Sequence, residues 1–586
     1  MFEIVDRDAC GRIGRLRTRH GAIVTPAILP VYNPNIPIVS AKELEAEFKA
    51  QALMTNAYII HRDPELRERA RRGVHGFLGF HRPIMTDSGA YQAWVYGGGI
   101  GLSNREIVRF QEELKPDMAI ILDVFTATSS YGEAEKAVEE TIRNAVECVE
   151  IRERGGILWA APIQGGRFVD LVRKCAATLS RLPFDIHPLG TLAPSLMAYE
   201  FRDLAEMLIV AKTHVTPARP LHAFGIGHPI VFSLAVGLGA DLFDSAAYAL
   251  FAKDLRYMTV SGTRELRDLK EFPCNCPVCS RYSPDEVREM EASDQVKALA
   301  RHNLYVTFAE MRAIRQAIRE NRLWELIQER VRAHPKLLEA LRYVLSKYKD
   351  DIERYDPTDK RSAFFYSGDE SALRPEVVRA KRRLGRVSSD LIIHRPFFGP
   401  IPYELRGVYP FAQSVIPESL REDARGIGAG RIKVPDERVV RKIVDYQFGE
   451  NASRFLRGIT VERSRRTGRM RYVRLGDRLI GTFRPSDGFL IPTIEGGRII
   501  KRALPFPRGR VVVSDEAARF VMSGRSVFAK FVLDADPAIR PGDEVIVVNK
   551  DDRLLGVGKA VLNREEMLAF SCGVAVRVRA GIGVEG

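Results

Sequence analysis

Met85-Thr86-Asp87-Ser88-Gly89-Ala90-Tyr91-Gln92 opens as a short apolar strand and ends in a carboxylate at a glycine turn. The same order, an apolar run followed by a polar residue and a turn, recurs from the start of the chain to about residue 250. Amphipathic helical patterns separate these runs. Continuous apolar strands with helices between them are typical of a parallel sheet that is buried on both faces. The sequence therefore predicts an α/β fold.

Eight strand-and-helix units fit into this part of the chain, which is the number and size of a (β/α)8 TIM-like barrel. The predicted strands are Ala22–Pro30, Met54–Ile60, Pro83–Asp87, Met118–Asp123, Ile157–Gln164, Phe184–Leu189, Leu221–Gly225 and Leu242–Asp244. The predicted helices include Ala41–Leu53, Asn104–Leu114, Glu133–Arg152, Phe168–Leu182 and Leu196–Ala211. A doubly wound open sheet is the alternative. It is disfavoured because no G-x-G-x-x-G motif opens a helix after the first strand.

Polar residues and glycine turns cluster where the predicted strands end. In chain order they are Asp87, Asp123, Gln164, the pair Gly190 and Thr191, the turn Gly225–Pro229, and Asp244. In a barrel the carboxyl ends of all strands meet on the face that carries catalytic groups. Any one of these Asp residues could instead cap the following helix. Three carboxylates, an amide and glycine turns on one face nevertheless predict a functional site.

The residue types on this face favour chemistry at a glycosidic bond. No additional His or Cys cluster accompanies them, so the sequence indicates no catalytic metal. Two carboxylates beside one bond suit displacement at the anomeric carbon of a sugar, because one attacks or stabilises the carbon while the other transfers protons. An Asp and a Gln near exposed backbone amides suit the planar edge of a purine-like base. We therefore predict exchange or hydrolysis at an N-glycosidic bond.

Three cysteines, Cys274, Cys276 and Cys279, together with His302, have the number and spacing of the ligands of a structural zinc site. Thiolate and imidazole suit Zn²⁺, and four protein ligands leave no open position for catalysis. Buried free thiols or a redox pair are the alternatives, but Pro277 and the short spacers favour a metal knuckle. We expect one zinc ion per chain. The other cysteines are scattered singly, which is typical of a reducing compartment.

The chain has 586 residues and a formal net charge of +14, with a pI near 9.4. Its length predicts several domains. The excess of Lys and Arg favours a polyanionic partner, most simply nucleic acid, with an Arg-rich thermophile surface as the alternative. The N-terminus lacks the regions of a signal peptide, and no apolar run is long enough to cross a bilayer. We expect a cytoplasmic protein without a membrane partner.

These motifs together resemble one family, the tRNA-guanine transglycosylases, and within it the archaeal, archaeosine-type branch. The resemblance runs over the whole chain. The segments that carry it are Thr86–Gln92, Pro162–Gly166, Leu189–Pro194, His222–Pro229, Asp241–Ser245 and the zinc set. Ala90 stands where the bacterial pattern has glycine, which is a mild change.

The resemblance implies an enzyme that replaces guanine at position 15 in the D-arm of tRNA by 7-cyano-7-deazaguanine, through a covalent aspartyl-ribosyl intermediate. Asp244 is then the nucleophile and Asp87 the general acid/base, although these roles are sometimes assigned the other way round. The residues implied to hold the base are Asp123, Gln164, Leu189, Gly190 and Thr191, with Ser88 nearby. Relatives in this branch imply a homodimer with a structural zinc ion in each subunit.

The resemblance also divides the rest of the chain into smaller domains. We predict a catalytic barrel with a zinc-binding insertion over residues 1–350, a first C-terminal domain over 351–432, a second α+β domain over 433–505, and a β-barrel PUA domain, which binds RNA, over 506–586. In the PUA domain, Arg525 and Lys530 are candidate phosphate contacts. The basic run Glu462–Arg469 either contacts phosphates or forms a solvated pair of surface strands.

Three other functions remain alternatives. A queuine-type exchange at the anticodon is disfavoured by the C-terminal domains, which the bacterial queuine-type enzymes lack. A tRNA-binding paralogue that has lost catalysis is disfavoured by the presence of both Asp87 and Asp244 and by the complete zinc set. A lyase or hydrolase built on a bare barrel would need neither the PUA domain nor the charge of +14.

Overall fold

The computed structural model describes residues 2–91, 101–126, 130–153, 155–190, 192–422 and 433–583. The chain forms two compact units, Met1–Val344 and Leu345–Gly586. Among the described residues, no helix is both long enough and apolar enough to span a bilayer.

The first unit is built on a closed barrel of parallel strands. Within the described residues these strands number eight, and they are Ala27–Pro30, Leu53–Asn56, Ile84–Asp87, Met118–Ile120, Leu158–Ala160, His187–Leu189, Leu221–Ala223 and Leu242–Ser245. They form two halves, which parallel bridges from Val31 to Met54 and from Ala160 to Ile186 join into a ring. Because consecutive parallel strands need a crossover connection, helices alternate with them. The (β/α)8 barrel expected from the sequence is confirmed.

Helices surround this barrel. Their bounds are Ala41–Ala46, Ala57–Arg62, Pro64–Ala70, Val74–Leu78, Asn104–Leu114, Tyr131–Ile151, Val169–Leu179, Leu192–Met197, Phe201–His214, Phe232–Gly237 and Ala247–Lys253. The helix Asn104–Leu114 begins at a capping box. The hydroxyl of Ser103 accepts from the backbone N–H of Glu106 at 3.3 Å, and the Glu106 carboxylate accepts from the N–H of Ser103 at 2.8 Å. These bonds pair two N–H groups that the helix itself leaves free.

The predicted first strand, Ala22–Pro30, is in fact two strands. Gly21–Val24 belongs to an antiparallel sheet with Phe2–Asp8 and Gly11–Thr18, a sheet that the sequence analysis did not predict. The barrel strand starts after Pro26, which has no backbone N–H and interrupts the ladder of hydrogen bonds. Because the residues on both sides of this break are apolar, the sequence pattern predicts a single strand.

The predicted second strand, Met54–Ile60, is wrong in its second half. The strand ends at Asn56, whose side chain accepts a hydrogen bond from the N–H of Ile59 at 2.9 Å and so caps the helix Ala57–Arg62. An uninterrupted apolar run does not show where a strand gives way to a helix. The capping side chain marks that boundary.

Several other boundaries differ from the predictions. The predicted helix Ala41–Leu53 ends at Ala46, and the predicted helix Leu196–Ala211 is two helices, Leu192–Met197 and Phe201–His214. The fourth and fifth strands end at Ile120 and Ala160. Asp123 and Gln164 therefore lie in the loops that follow these strands and not at the strand ends. Loop positions at this edge of the barrel can still reach the barrel axis.

The segment after the barrel forms a hairpin and a helical layer. Strands Arg256–Thr259 and Gly262–Glu265 pair antiparallel. The helices are Pro284–Glu289, Ala292–Glu320, Leu323–Val331 and Pro335–Lys347. The long helix Ala292–Glu320 carries His302 and packs against the helix Ala247–Lys253 and the hairpin. The hairpin and the loop that follows it are the insertion that the sequence predicts to bind zinc.

The second unit combines short helices with small sheets. Its first part pairs Phe364–Phe365 with Ser414–Val415 and Ile392–Arg395 with Gly399–Pro402, beside helices Lys349–Tyr355, Pro375–Leu384 and Glu418–Glu422. Its middle part is an antiparallel sheet of Ile459–Arg463, Met470–Leu475, Arg478–Phe483 and Leu490–Pro492, with helices Asp436–Phe448 and Ile494–Ala503. Its last part is a barrel-like sheet of Arg510–Val513, Val527–Phe528, Val532–Ala535, Glu544–Val548, Leu554–Ala560 and Val574–Gly581, with helices Asp515–Met522 and Arg564–Ala569.

Buried ion pairs link distant segments of the second unit. The Arg379 guanidinium donates to the Asp356 carboxylate at 2.7 Å and to Glu353 at 3.3 Å. Lys360 adds a bond to Asp356 at 3.0 Å, and Arg540 adds one to Glu353 at 3.0 Å. Arg379, Asp356, Glu353 and Lys360 are all buried. Burial acts to raise the pKa of Asp356, but the cations around it hold that pKa below its usual value.

We expect Arg379→Met to lower the free energy of unfolding by about 3 kcal/mol, because it leaves two buried carboxylates with fewer cations. Denaturant unfolding of the full chain measures this change. The matched control is Arg498→Met, which removes an exposed arginine paired with Glu495 and should change stability by less than about 0.5 kcal/mol. Equal effects of the two substitutions would show that the buried network does not stabilise the unit.

Candidate active site

A cavity of about 270 Å³ lies at the carboxyl ends of the barrel strands. Its polar lining residues include Asn56, Asp87, Asp123, Gln164, His228, Asp244 and Ser245, and its apolar rim includes Phe125, Phe224, Leu250 and Phe251. A concave, mostly apolar site with a few convergent polar groups is the usual form of a small-molecule site. The strand-end residues predicted from the sequence thus lie around one cavity.

Asp87 is the last residue of the third barrel strand and is 8% exposed. Its Oδ2 accepts a hydrogen bond from the side-chain amide of Asn56 at 2.7 Å. Burial, together with the nearby charge of Asp123, raises the pKa of Asp87 to about 7. A carboxyl group with this pKa exists in both protonation states near neutral pH, which is the property needed for transferring protons in both directions.

Asp123 and Gln164 form a rigid pair in the loops after the fourth and fifth strands. The Gln164 amide donates to Asp123 Oδ2 at 2.5 Å. Burial raises the pKa of Asp123 to about 6, so the group remains mostly a carboxylate at neutral pH. Gly190 packs directly on this pair, since a Cβ atom at that position would lie 2.5 Å from Gln164 Nε2. A larger residue there would displace the glutamine.

The hydrogen-bond partners of Asp244 differ from those of Asp87. Its Oδ1 accepts from His222 Nε2 at 2.8 Å and from the backbone N–H of Gly225 at 2.8 Å. Asp244 is 5% exposed and His222 is fully buried in the neighbouring strand. Within the described residues no donor reaches Asp244 Oδ2. The carboxylate is therefore held by one oxygen and presents the other.

Several buried polar atoms in and around this cavity have no hydrogen-bond partner among the described residues. They are Ser88 Oγ, Asp123 Oδ1, Gln164 Oε1, His222 Nδ1 and His228 Nε2. Buried polar atoms are nearly always paired in folded proteins, because leaving one unpaired costs about 1–3 kcal/mol. Those on Asp123, Gln164 and His228 line the cavity and are available to a polar ligand or to water. Burial also lowers the pKa of His228 to about 4, so its imidazole is neutral.

The structure brings together Asp87, Asp123, Gln164, Gly190 and Asp244 around the cavity. Ser88 and Leu189 are fully buried next to this group and do not line it. Thr191 lies outside the described residues. The sequence alone predicts no role for Asn56 or His222. Asn56 is also a polar residue after an apolar run. The predicted strand Met54–Ile60 continues past it, so the sequence does not mark Asn56 as a residue at a strand end.

The zinc set is also brought together. Cys276 Sγ and Cys279 Sγ lie 3.5 and 3.3 Å from His302 Nδ1, and the ligand atoms of all four residues lie within 4.8 Å of one another. Donors of a tetrahedral Zn²⁺ site, at about 2.3 Å for sulfur and 2.0 Å for nitrogen, are separated by similar distances. His302 Nε2 donates to the carbonyl of Met258 at 2.9 Å, which leaves Nδ1 free for a metal. The donor set fits zinc.

A second group of potential ligands, His20, His75 and Asp117, has a different character. The two imidazoles are stacked with centroids 3.6 Å apart and an interplanar angle of 24°, a poor arrangement for one ion because imidazole nitrogens donate in the ring plane. Although burial acts in the opposite direction, hydrogen bonds from His75, Ile84 and His20 hold the pKa of Asp117 below its usual range. The group is a hydrogen-bonded structural cluster.

The two predicted RNA contacts lie in the last part of the second unit. Arg525 follows the helix Asp515–Met522, and Lys530 lies in the short segment before the strand Val532–Ala535. Both side chains are exposed. The Lys530 ammonium lies 4.6 Å from the centroid of the Phe531 ring. Cations next to aromatic rings at a surface are compatible with nucleic-acid contacts.

Four known sequence families match the chain in consecutive segments. "Queuine tRNA-ribosyltransferase" matches residues 7–336, and "C1 domain of tRNA-guanine transglycosylase dimerisation" matches residues 357–422. "Patch-forming domain C2 of tRNA-guanine transglycosylase" matches residues 438–507, and "PUA domain" matches residues 509–582.

Curated relatives match over the full length. A tRNA-guanine(15) transglycosylase of Thermococcus kodakarensis is 45% identical over 585 residues, with 99% of both chains covered. The protein of the same name from Pyrococcus abyssi is 46% identical over 594 residues, with 99% of this chain and 98% of the relative covered. The one from Methanocaldococcus jannaschii is 42% identical over 652 residues, with 99% of both chains covered.

We expect Asp87→Asn to stabilise the protein at pH 8 by roughly 2–4 kcal/mol and by less than half of that at pH 5. The folded-state pKa of Asp87 is raised to about 7, so its contribution to stability is greatest below the unfolded value near 4 and is lost as the pH rises toward 7. Asparagine, which does not ionise, avoids this loss. Denaturant unfolding at the two pH values measures the effect. Asp254→Asn, at an exposed position, is the control and should show no such pH dependence. An Asp87→Asn gain that is the same at both pH values would contradict the assignment of a raised pKa.

Proposed function

The chain belongs to the tRNA-guanine transglycosylase family, and we propose that it exchanges guanine at position 15 of tRNA for 7-cyano-7-deazaguanine, a step toward archaeosine. The observation that carries the proposal is the pairing of two differently held carboxylates at one cavity. Asp87 has a pKa of about 7, while the Asp244 carboxylate is anchored through a single oxygen. A displacement at an anomeric carbon needs one group for each of these tasks.

In the first half of the reaction, Asp244 Oδ2 attacks C1′ of the target ribose. The bond from C1′ to N9 of guanine breaks, and its electron pair leaves with the base. Protonated Asp87 donates a proton to the departing base, which leaves as neutral guanine. The products of this half are a covalent aspartyl-ribosyl intermediate and an Asp87 carboxylate.

In the second half the roles of the two groups reverse. The Asp87 carboxylate takes the proton from the ring nitrogen of the incoming base, and that nitrogen attacks C1′. The bond from C1′ to Asp244 Oδ2 breaks, and its electron pair returns to the carboxylate. Because Asp87 serves as acid and then as base, a pKa near 7 suits both halves. The cycle needs no ATP.

The free acceptors of the cavity support recognition of a guanine-like base. Asp123 Oδ1 and Gln164 Oε1 are buried acceptors without partners among the described residues. The pyrimidine edge of guanine presents adjacent N–H donors, and 7-cyano-7-deazaguanine keeps the same edge. Ser88, Leu189, Gly190 and Thr191 complete the proposed base site. Phe125 lines the cavity and provides a surface for stacking.

We expect wild-type enzyme to incorporate labelled guanine into unmodified archaeal tRNA, with the label at position 15. Asp244→Asn should lose at least about 10³-fold in rate and form no covalent adduct on a denaturing gel, because it lacks the nucleophile. Asp87→Asn should lose a comparable amount, and Asp254→Asn should retain full activity. Label in the anticodon would establish a queuine-type exchange instead. Tight tRNA binding without incorporation by wild type would establish an inactive paralogue.

We further propose that Cys274, Cys276, Cys279 and His302 hold one structural zinc ion. The ion would pin the cysteine loop to the helix Ala292–Glu320, beside the hairpin whose Tyr257 ring stacks on His302 at 3.7 Å. With four protein ligands the ion takes no part in catalysis.

Cys276→Ser is expected to reduce the zinc content from about one ion per chain to well below one half and to lower the thermal midpoint by several degrees, because structural zinc contributes to folding free energy. Elemental analysis and thermal melting measure the two effects. Cys572→Ser, outside the cluster, should change neither. Full zinc content in the Cys276→Ser protein would exclude this ligand set.

We propose that the second unit binds tRNA and takes part in dimer assembly. The match of residues 509–582 to PUA domains supports binding of tRNA by this region, with Arg525 and Lys530 contacting phosphates of the D-arm substrate. The match of residues 357–422 to a dimerisation domain supports a homodimer. We propose the domain limits 1–350, 351–432, 433–505 and 506–586, and action in the cytoplasm, where tRNA is modified.

A further inference from the structure

We propose that His222 is a positioning residue for the reaction, which fixes Oδ2 of Asp244 as the attacking oxygen and stabilises the carboxylate when it leaves again. This inference rests on the proposed function of Asp244 as the nucleophile. It adds a residue that touches neither the base nor the ribose and acts through the aspartate.

The contacts of Asp244 are asymmetric. His222 Nε2 and the Gly225 N–H both point at Oδ1, each at 2.8 Å. An sp² oxygen has two lone-pair directions, and these two donors occupy both. Within the described residues no donor reaches Oδ2, and Asp244 lines the cavity. The lone pairs of Oδ2 are therefore the ones available to a ribose carbon.

The state of the imidazole follows from its surroundings. Nε2 faces a carboxylate oxygen at hydrogen-bond distance, so this nitrogen carries the proton. Nδ1 is buried and has no partner among the described residues. His222 acts as a hydrogen-bond donor through Nε2, held in place by the strand Leu221–Ala223 and 0% exposed. It does not exchange protons with the substrate.

The hydrogen bond from His222 has its greatest effect on the rate when the covalent bond between C1′ and Asp244 Oδ2 breaks. In that step the pair of electrons from the C1′–Oδ2 bond returns to Asp244, and negative charge spreads over both oxygens. Donors already aimed at Oδ1 stabilise this charge without reorganisation, as donors do in an oxyanion hole. The same donors orient Oδ2 during the attack. Loss of the His222 donor should slow both halves and leave the binding of substrates unchanged.

Two substitutions of nearly equal shape separate this role from packing. His222→Gln keeps an N–H donor at the same number of bonds from the backbone, whereas His222→Met has similar length and no donor. We expect His222→Met to lose about 10²–10³-fold in kcat, with KM for tRNA and for guanine changed by less than about threefold. His222→Gln should stay within about tenfold of wild type. The covalent adduct should form more slowly in the Met variant by a similar factor.

Equal loss of kcat in the Gln and Met variants, both folded by thermal melting, would overturn the proposal, because a packing role does not depend on the donor. A rise in KM with kcat unchanged in the Met variant would also overturn it and would assign His222 to substrate binding. Absence of exchange by the wild-type enzyme would instead overturn the proposed function. The two failures are therefore distinguishable.

Discussion

The closed ring of parallel strands is the constraint on which the rest of the first unit depends. Parallel pairing places the carboxyl end of every strand at the same edge, and ring closure makes that edge surround one axis. The strand register, which pairs Asp244 with Leu29 and Asp87 with Asn56, fixes the positions of these two aspartates along the barrel axis. The short strands, three or four residues each, leave the rim to be formed by loops. Asp123 and Gln164 come from those loops and can be aligned with each other by a direct hydrogen bond.

Burial of carboxylates and polar atoms lowers the stability of a folded protein, and at this site it also sets the chemical properties of these groups. Two carboxylates with raised pKa values lie at one small cavity, together with polar atoms of Asp123, Gln164 and His228 that no described residue pairs. Each is unfavourable for the free enzyme, because burial removes hydration from the charged or polar group. In the proposed reaction, the bound nucleotide and base would supply partners for these groups. Binding energy is thereby directed to a substrate with the correct donors, and an analogue lacking them leaves the same groups unpaired.

Much of this arrangement was predictable from the sequence, for reasons that particular residues make clear. Asp87 and Asp244 follow short apolar runs, so their place at the active face follows from strand order. The zinc set was visible because its ligands are of distinctive type and close spacing. Asn56 was not found, because the change from strand to helix depends on a side-chain cap that an apolar pattern does not show. His222 was not assigned a role because its meaning lies in a contact with the neighbouring strand, which sequence order does not encode. The break before Ala27 was hidden for a similar reason: both sides of Pro26 are apolar.

The ion network around Arg379 has a consequence for working with the protein in solution. The affinity for tRNA of a surface that contacts phosphates falls steeply as the salt concentration rises. Binding releases counterions from the RNA, and this release is less favourable at high salt. Buried pairs are screened far less than exposed ones. If tRNA binds the second unit as proposed, high salt should detach it while the bonds among Glu353, Asp356, Arg379 and Arg540 persist. In that case the second unit has two sets of charge contacts with unequal sensitivity to salt: exposed contacts with RNA that weaken steeply, and buried pairs that weaken little and keep its own segments joined.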